Sequence, residues 1–126
     1  MTPTNQRRTL QTIYDAVNYL ALNPQHQTTG YMARDPDGRP VMPTDETACS
    51  WCVLGRIAHD MGLSVPSVAL ASYDKRPVPN IRLNDQRLTA KLREEVLYPL
   101  GLTAHFFMFR NDRADPERRQ QGLEEI

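Results

Sequence analysis

Apolar residues recur at spacings of three and four along the first part of the chain, which is the period of one helix face. This pattern predicts a helix from about Asn5 to Leu22. The helix is expected to end there because Pro24 disfavours helical backbone in the residue before it. The apolar positions of the stripe are Leu10, Ile13, Tyr14, Val17, Leu20 and Ala21.

The segment after this helix has no helical period and contains the turn sequence Asp35-Pro36-Asp37-Gly38. An aspartate at the first position bonds the backbone ahead of it, proline presets its own φ, and glycine accepts a positive φ. Short extended arms on both sides predict a small β-hairpin, with Pro40 confining its second arm to an edge. The two aspartates resemble the start of a calcium loop, but Gly-Arg-Pro follows directly and no glutamate closes it, which argues against calcium.

Residues 45–61 have an almost continuous apolar circumference when they are placed on a helical wheel. They predict a central helix that is buried between its neighbours, capped by Thr44 or Asp45 and ended by Gly62. One stripe of this helix carries mostly small side chains, which allows another element to approach closely. Its members are Ala48, Cys52, Gly55 and His59.

Three later segments also have features of helices. One is a short helix that begins near Ser64, one is capped by Asn84 and Asp85 and runs to about Tyr98, and one begins near Asp115. The aromatic segment 103–109 fits either a buried strand or a last core segment, and periodicity does not decide between them. The sequence thus predicts a single domain over residues 1–126, mainly α with a small β-hairpin (α+β), in which four to five helices pack around a central helix 45–61.

Charge and composition narrow the range of functions. Fifteen basic and fifteen acidic side chains cancel, which argues against the bulk electrostatic binding of nucleic acid. No apolar run approaches the ~18 residues of a membrane span. Two cysteines do not make a secreted disulfide framework, so reduced thiols and a cytoplasmic location are expected.

Cys49 and Cys52 form a C-x-x-C pair, which raises two possibilities. A redox pair belongs at a helix N-terminus after a βαβ pattern, and that pattern is missing here. A zinc site needs two further ligands, but His59 stands about 10 Å along the predicted helix from Cys52, and no second paired motif exists. We therefore expect neither a metal nor a cofactor, and we interpret the cysteines as small buried apolar residues.

A cysteine nucleophile is a competing interpretation. Cys52 would be the nucleophile, His59 its activating base, and Asp112 or Asn111 the group that orients the base. All of these residue types are present, but the sequence does not show that they meet in space. We favour a structural role for Asn111 and Asp112 over a catalytic one, in which their side chains bond the backbone or cap a neighbouring helix.

Several short motifs, taken in order, resemble a small uncharacterised family of bacteria and their phages. The motifs are a Gly-aromatic pair, an acidic D-x-D-G-R-P turn, a Cys-x-x-Gly helix and a late Asn-Asp pair. The residues that carry them are Tyr31, Asp35, Gly38, Trp51, Cys52, Gly55, Asn111 and Asp112. The chain departs from the family pattern at Arg56, where alanine is usual, and at Arg110, where an aromatic residue usually precedes Asn-Asp. The resemblance implies an architecture but no activity or cofactor.

The expected function is therefore that of a small intracellular accessory or inhibitory protein that binds a protein partner. The resemblance adds an association with phages or mobile elements, and inhibition of a host defence system would fit it. The candidate contact residues are Phe106, Phe107, Phe109 and Arg110, where an aromatic run meets a charge. The alternatives are an enzyme that depends on Cys52 and a nucleic-acid-binding module, whose affinity would fall steeply with salt.

Overall fold

The first helix, α1, runs Pro3–Leu22 in the computed structural model, which describes residues 3–70 and 78–111. The predicted helix is confirmed, and a 3₁₀ turn, Pro24–His26, follows it directly. Three residues of the stripe lie in the core, namely Ile13, Val17 and Leu20, and Ala16 is buried beside them. Leu10 and Tyr14 belong to the same apolar pattern but remain 46% and 61% exposed.

The acidic turn forms as its sequence predicts. Asp35 Oδ1 accepts hydrogen bonds from the backbone N–H groups of Asp37 at 3.0 Å and Arg39 at 2.8 Å, and Gly38 has a φ of 80°. The pairing around the turn differs from a simple hairpin, however. Strand β1, Ala33–Arg34, pairs antiparallel with strand β2, Ser50–Trp51, whereas Pro40 contributes an isolated bridge.

The central helix, α2, runs Val53–Met61, so the predicted start at residue 45 is wrong by two turns. Asp45 Oδ1 instead accepts hydrogen bonds from the N–H and the hydroxyl of Thr47, and this local bonding competes with helix formation. Ser50 and Trp51, just before the helix, form β2 and pair with β1 instead of continuing the helix backwards. Cys52 is the N-cap in place of Thr44 or Asp45, and Gly62 ends the helix in the left-handed region with a φ of 66°, as expected.

The short helix expected from Ser64 is absent from the described residues up to position 70. The segment has no regular secondary structure before strand β3, Ala69–Leu70, which pairs antiparallel with strand β4, Val78–Pro79. Polar side chains of the following helix hold it: Asn84 Oδ1 accepts the Val68 N–H at 2.8 Å, and Lys91 Nζ donates to the Ser64 carbonyl at 3.0 Å. These bonds satisfy backbone groups that a helix would otherwise satisfy internally.

Helix α3 runs Ile81–Leu92 and begins three residues before the predicted cap, because Asn80 accepts the Leu83 N–H with its side chain. It continues through a π turn, Arg93–Leu97, and a 3₁₀ turn, Tyr98–Leu100. The aromatic segment forms helix α4, Ala104–Asn111, rather than a strand. The final helix expected from Asp115 lies outside the described residues.

The core lies between α1, α2, α3 and α4. Its largest fully buried side chains include Phe107, Leu20, Ile57, Leu88 and Leu92, one or more from each helix. The described residues are mostly helical, with four α-helices and two short antiparallel β pairs, so the predicted mainly α fold with a small β component (α+β) is confirmed.

Candidate functional site

Met32 connects β1, α2 and α3 through its backbone. Its carbonyl oxygen accepts the Cys52 N–H at 3.1 Å. A Cβ atom added at Gly55 would lie 1.9 Å from that same carbonyl oxygen, so the helix can approach the segment before β1 only with glycine at position 55. The small-residue stripe expected from the sequence therefore does permit a close approach, and the element that approaches is the backbone of Met32.

The backbone N–H of Met32 is bonded to the side chain of Asp85 in α3. The Met32 N–H donates to Asp85 Oδ2 at 3.0 Å, while Asp85 Oδ1 is buried without a hydrogen-bond partner among the described residues. Burial raises the pKa of the Asp85 carboxyl to about 6, and the Met32 bond and the positive charge of Arg82 only partly oppose this. A carboxyl group with a raised pKa that lines a cavity is a physical indicator of a functional site.

The cavity beside Asp85 has a volume of about 320 Å³, and we call it the cleft. One wall is a polar face of α3 and its continuation, at spacings of three and four that bring side chains to the same side of a helix. This face consists of Arg82, Asp85, Gln86, Thr89 and Arg93. The other wall is formed by residues 30–32 and by residues 52–54 at the start of α2, with Met108 at one side.

Cys52 lines the cleft and caps α2. Its Sγ accepts the Gly55 N–H at 3.3 Å, which satisfies one of the helix's first N–H groups. Cys49 lies in extended backbone before β2, where its N–H donates to the Arg34 carbonyl at 2.9 Å. Both cysteines are partly buried thiols, and no group of three potential metal-binding side chains occurs in the part of the chain that the structure describes.

The alternative catalytic set is not assembled in the described structure. His59 does not line the cleft, since its Nδ1 lies 2.9 Å from Asp60 Oδ1 and its ring packs 5.0 Å from that of Trp51. Asp112 lies outside the described residues, and so does the side chain of Asn111, the last residue of α4. Cys52 and Asp85 both line the cleft, whereas no histidine is among its lining residues.

An aromatic cluster joins α1 to α2 on another side of the molecule. The guanidinium carbon of Arg56 lies 3.8 Å from the ring centre of Tyr19 and 4.6 Å from that of Trp51. Arg56 Nε also pairs with Asp60 at 3.0 Å. Trp51 is buried and donates its indole N–H to the Pro43 carbonyl at 3.0 Å. Arg56, one of the two departures from the family pattern, thus has a structural role between two aromatic rings.

A second concave surface lies between α1 and α4, and we call it the groove. It has a volume of about 640 Å³ and apolar walls that include Leu10, Tyr14, Leu102 and Phe106. Phe107 is 1% exposed and belongs to the core, so of the aromatic candidates it is not available to a partner. Phe106 is half-buried in the groove, and the side chains of Phe109 and Arg110 lie outside the described residues.

Sequence reasoning missed Asp85 and the two arginines of the cleft, and it did not separate Leu10 and Tyr14 from the buried residues of the same apolar stripe. The signal that was missed in α3 is a polar face whose residues lie 3, 4, 7 and 11 positions after Arg82. In the sequence this pattern is indistinguishable from an ordinary solvated helix face. Tyr31 was selected for a motif, and its ring carries the guanidinium groups of Arg34 and Arg82 at 5.0 and 5.2 Å.

Comparison of the chain with family models, with curated proteins and with solved structures finds no match. The cleft and the groove are therefore the features of the molecule that bear on its function. None of the helices among the described residues combines the length and the apolar character that crossing a membrane requires.

Proposed function

We propose that this chain is a small cytoplasmic accessory protein that binds a protein partner through the groove between α1 and α4. The observation that carries the proposal is the exposure of Leu10 and Tyr14 beside Phe106, three apolar side chains on two neighbouring helices. Aromatic anchors next to a concave apolar surface are typical of protein interfaces. The association with phages or mobile elements comes from the motif resemblance described above.

The partner segment that suits this groove is an amphipathic helix with an acidic residue beside its apolar face. The first half of α1 carries Arg7 at the groove and Arg8 next to it, and neither forms an ion pair with a described residue. Apolar side chains at positions i, i+3 and i+7 of a partner helix fill such a groove. A carboxylate on that helix would complement Arg7 and raise the association rate at low salt.

The proposal is tested by substituting single groove residues in the full chain and measuring retention of host proteins. We expect Leu10→Glu and Tyr14→Glu to lose one protein that the unaltered chain retains, because each buries a charge in the apolar contact. Tyr98→Glu is the matched control, since Tyr98 is 58% exposed and does not line the groove. Circular dichroism and thermal melts establish that all three variants fold.

The identity of the contact decides the result. Cross-linking from position 14 to an amphipathic, acid-bearing helix of the retained protein supports the proposal. Equal retention by Tyr14→Glu and Tyr98→Glu contradicts it, and so does a concentration-dependent dimer of the chain alone that Tyr14→Glu abolishes, because the occupant would then be a second copy.

An enzyme that uses Cys52 is a second candidate, favoured by the presence of Cys52 and Asp85 in one cleft. It requires the thiol, whereas partner binding through the groove does not. A Cys52→Ala variant that folds and keeps its full effect in a cellular assay would eliminate this candidate. Loss of the effect with retained partner binding would favour it.

A further inference from the structure

The cleft has an excess of positive charge at its edges. Arg82 and Arg93 both line it, and neither forms an ion pair with any carboxylate of the described residues, whose two ion pairs both involve Asp60. Arg82 acts on the Asp85 carboxyl through its charge but forms no ion pair with it. Two arginines and one carboxylate give the cleft a net positive charge, which suits an anion because a guanidinium group binds carboxylate and phosphate oxygens through paired N–H donors.

Tyr31 orients the first of these arginines. Arg82 lies over the Tyr31 ring, and its Nη2 donates to the Tyr31 hydroxyl at 3.4 Å. Arg34 also lies over the Tyr31 ring, and its guanidinium is fixed by donating to the Thr28 hydroxyl and to the carbonyls of Thr29 and Gly38. Arg82 is therefore positioned before any ligand arrives, which lowers the entropic cost of binding.

The opposite wall adds to the positive potential. Residues 52–54 begin the nine-residue helix α2, whose N-terminus carries the positive end of the helix dipole. The group in the cleft that opposes an anion is the Asp85 carboxylate. Because burial raises the pKa of Asp85 to about 6, this carboxyl loses its charge under mildly acidic conditions.

The dimensions limit the ligand. The cavity volume of about 320 Å³ is at the lower end of the range of about 300–1,000 Å³ for small-molecule sites. Arg82 and Arg93 are eleven residues apart, or roughly 16 Å along a helix axis. Between them lie Gln86 and Thr89, which can hydrogen-bond, and Met32 and Met108 provide apolar contact.

We propose that the cleft binds a small organic anion. Its phosphate or carboxylate group pairs with Arg82, its body lies against Gln86, Thr89 and the two methionines, and Arg93 adds positive charge at the other end of the cleft. This site is separate from the groove, and ligand binding here does not depend on partner binding there. The shared chemistry is an oxyanion on an organic body, and phosphate esters and polycarboxylates are its two sources.

Calorimetric titration of the full chain at pH 7 and low salt tests the proposal with three probes: AMP, citrate and inorganic phosphate. We expect AMP or citrate to bind saturably, and we expect Arg82→Gln and Arg93→Gln each to weaken that binding by about tenfold. Arg39→Gln is the matched control, since Arg39 is exposed in the acidic turn away from the cleft. Asp85→Asn should tighten binding severalfold because it removes the opposing charge.

Which probe binds identifies the source of the oxyanion. Saturation by AMP alone indicates a phosphate ester, and saturation by citrate alone indicates a polycarboxylate. The proposal is overturned if neither saturates up to about 5 mM, if the two arginine variants bind as the unaltered chain does, or if inorganic phosphate binds as tightly as AMP. Arg82→Lys and Arg93→Lys keep the positive charge but not the paired N–H donors. Thermal melts of these variants separate weakened binding of the anion from a loss of folding.

Discussion

The carbonyl oxygen of Met32 occupies the space in which a side chain at Gly55 would begin, 1.9 Å from the ideal Cβ position. Two elements that are distant in the sequence thus meet backbone to backbone. The contact joins residues 30–32 to the start of α2, which together form one wall of the cleft, and it makes position 55 sensitive to the addition of a single methyl group.

We predict that Gly55→Ala lowers the free energy of unfolding by at least about 2 kcal/mol, because the added methyl group must displace backbone. Helix propensity alone predicts the opposite sign, a gain of about 1 kcal/mol. Gly62→Ala is the comparison, since a Cβ there meets nothing within 4 Å and only its φ of +66° costs energy. Urea denaturation of both variants measures the difference, and a Gly55→Ala variant as stable as the unaltered chain would contradict the contact.

Asp85 should make stability depend on pH in a defined direction. Its pKa is raised from 3.8 to about 6, so the folded chain holds this proton more tightly than the unfolded chain does. The stability associated with the proton is complete below about pH 4 and is lost as pH rises through about 6. The shift corresponds to about 3 kcal/mol at most, and partial exposure reduces the expected effect to about 1–2 kcal/mol.

Asp85→Asn should remove that dependence and stabilise the chain at pH 7, while an amide oxygen still accepts the Met32 N–H. The measurement is urea denaturation of both proteins at several pH values between 4 and 7.5. Parallel stability profiles for the two proteins would mean that Asp85 titrates normally.

Asn84 is a fully buried polar side chain, and it accepts the Val68 N–H at 2.8 Å. We predict that Asn84→Ala costs about 2–3 kcal/mol, because the Val68 N–H then remains without its partner. Gln86→Ala changes an exposed position of the same helix and should cost less than about 0.5 kcal/mol. Hydrogen exchange at the Val68 amide should accelerate in Asn84→Ala alone, and equal exchange in both variants would refute the role of Asn84.

Cys52 should tolerate serine better than alanine if its role is to cap α2. Serine is a preferred N-cap residue, so Cys52→Ser should leave stability within about 0.5 kcal/mol, whereas Cys52→Ala should lower it by about 1 kcal/mol. Thermal melts of the two variants provide the test. If the Cys52→Ala variant is as stable as the Cys52→Ser variant, a side-chain acceptor for the Gly55 N–H does not contribute to stability.

Helix α1 could be predicted from the sequence because its period and its stop signal at Pro24 are both local. The start of α2 could not be predicted, since the apolar pattern of residues 45–61 does not show whether residues 45–52 are helical or not. What decides the start is the pairing of Trp51 with Ala33, a contact between segments that the sequence pattern does not connect. The same holds for the segment after Gly62, whose conformation depends on side chains of α3.

The cleft was hidden from sequence reasoning for a related reason. Arg82, Asp85 and Arg93 are ordinary residues of a polar helix face until residues 30–32 come to lie against them. The groove was partly visible, because the aromatic segment was selected as a contact surface. The orientation of that segment was not visible, since the period of α4 does not indicate that Phe107 turns inward while Phe106 lines the groove with Leu10 and Tyr14.

The bond from the Met32 N–H to Asp85 spans 53 positions of the chain. The two walls of the cleft therefore belong to different halves of the polypeptide, and neither half contains a ligand site by itself. During synthesis the cleft comes into being only after α3 has emerged and docked, so affinity for a small anion would report completed folding as well as recognition.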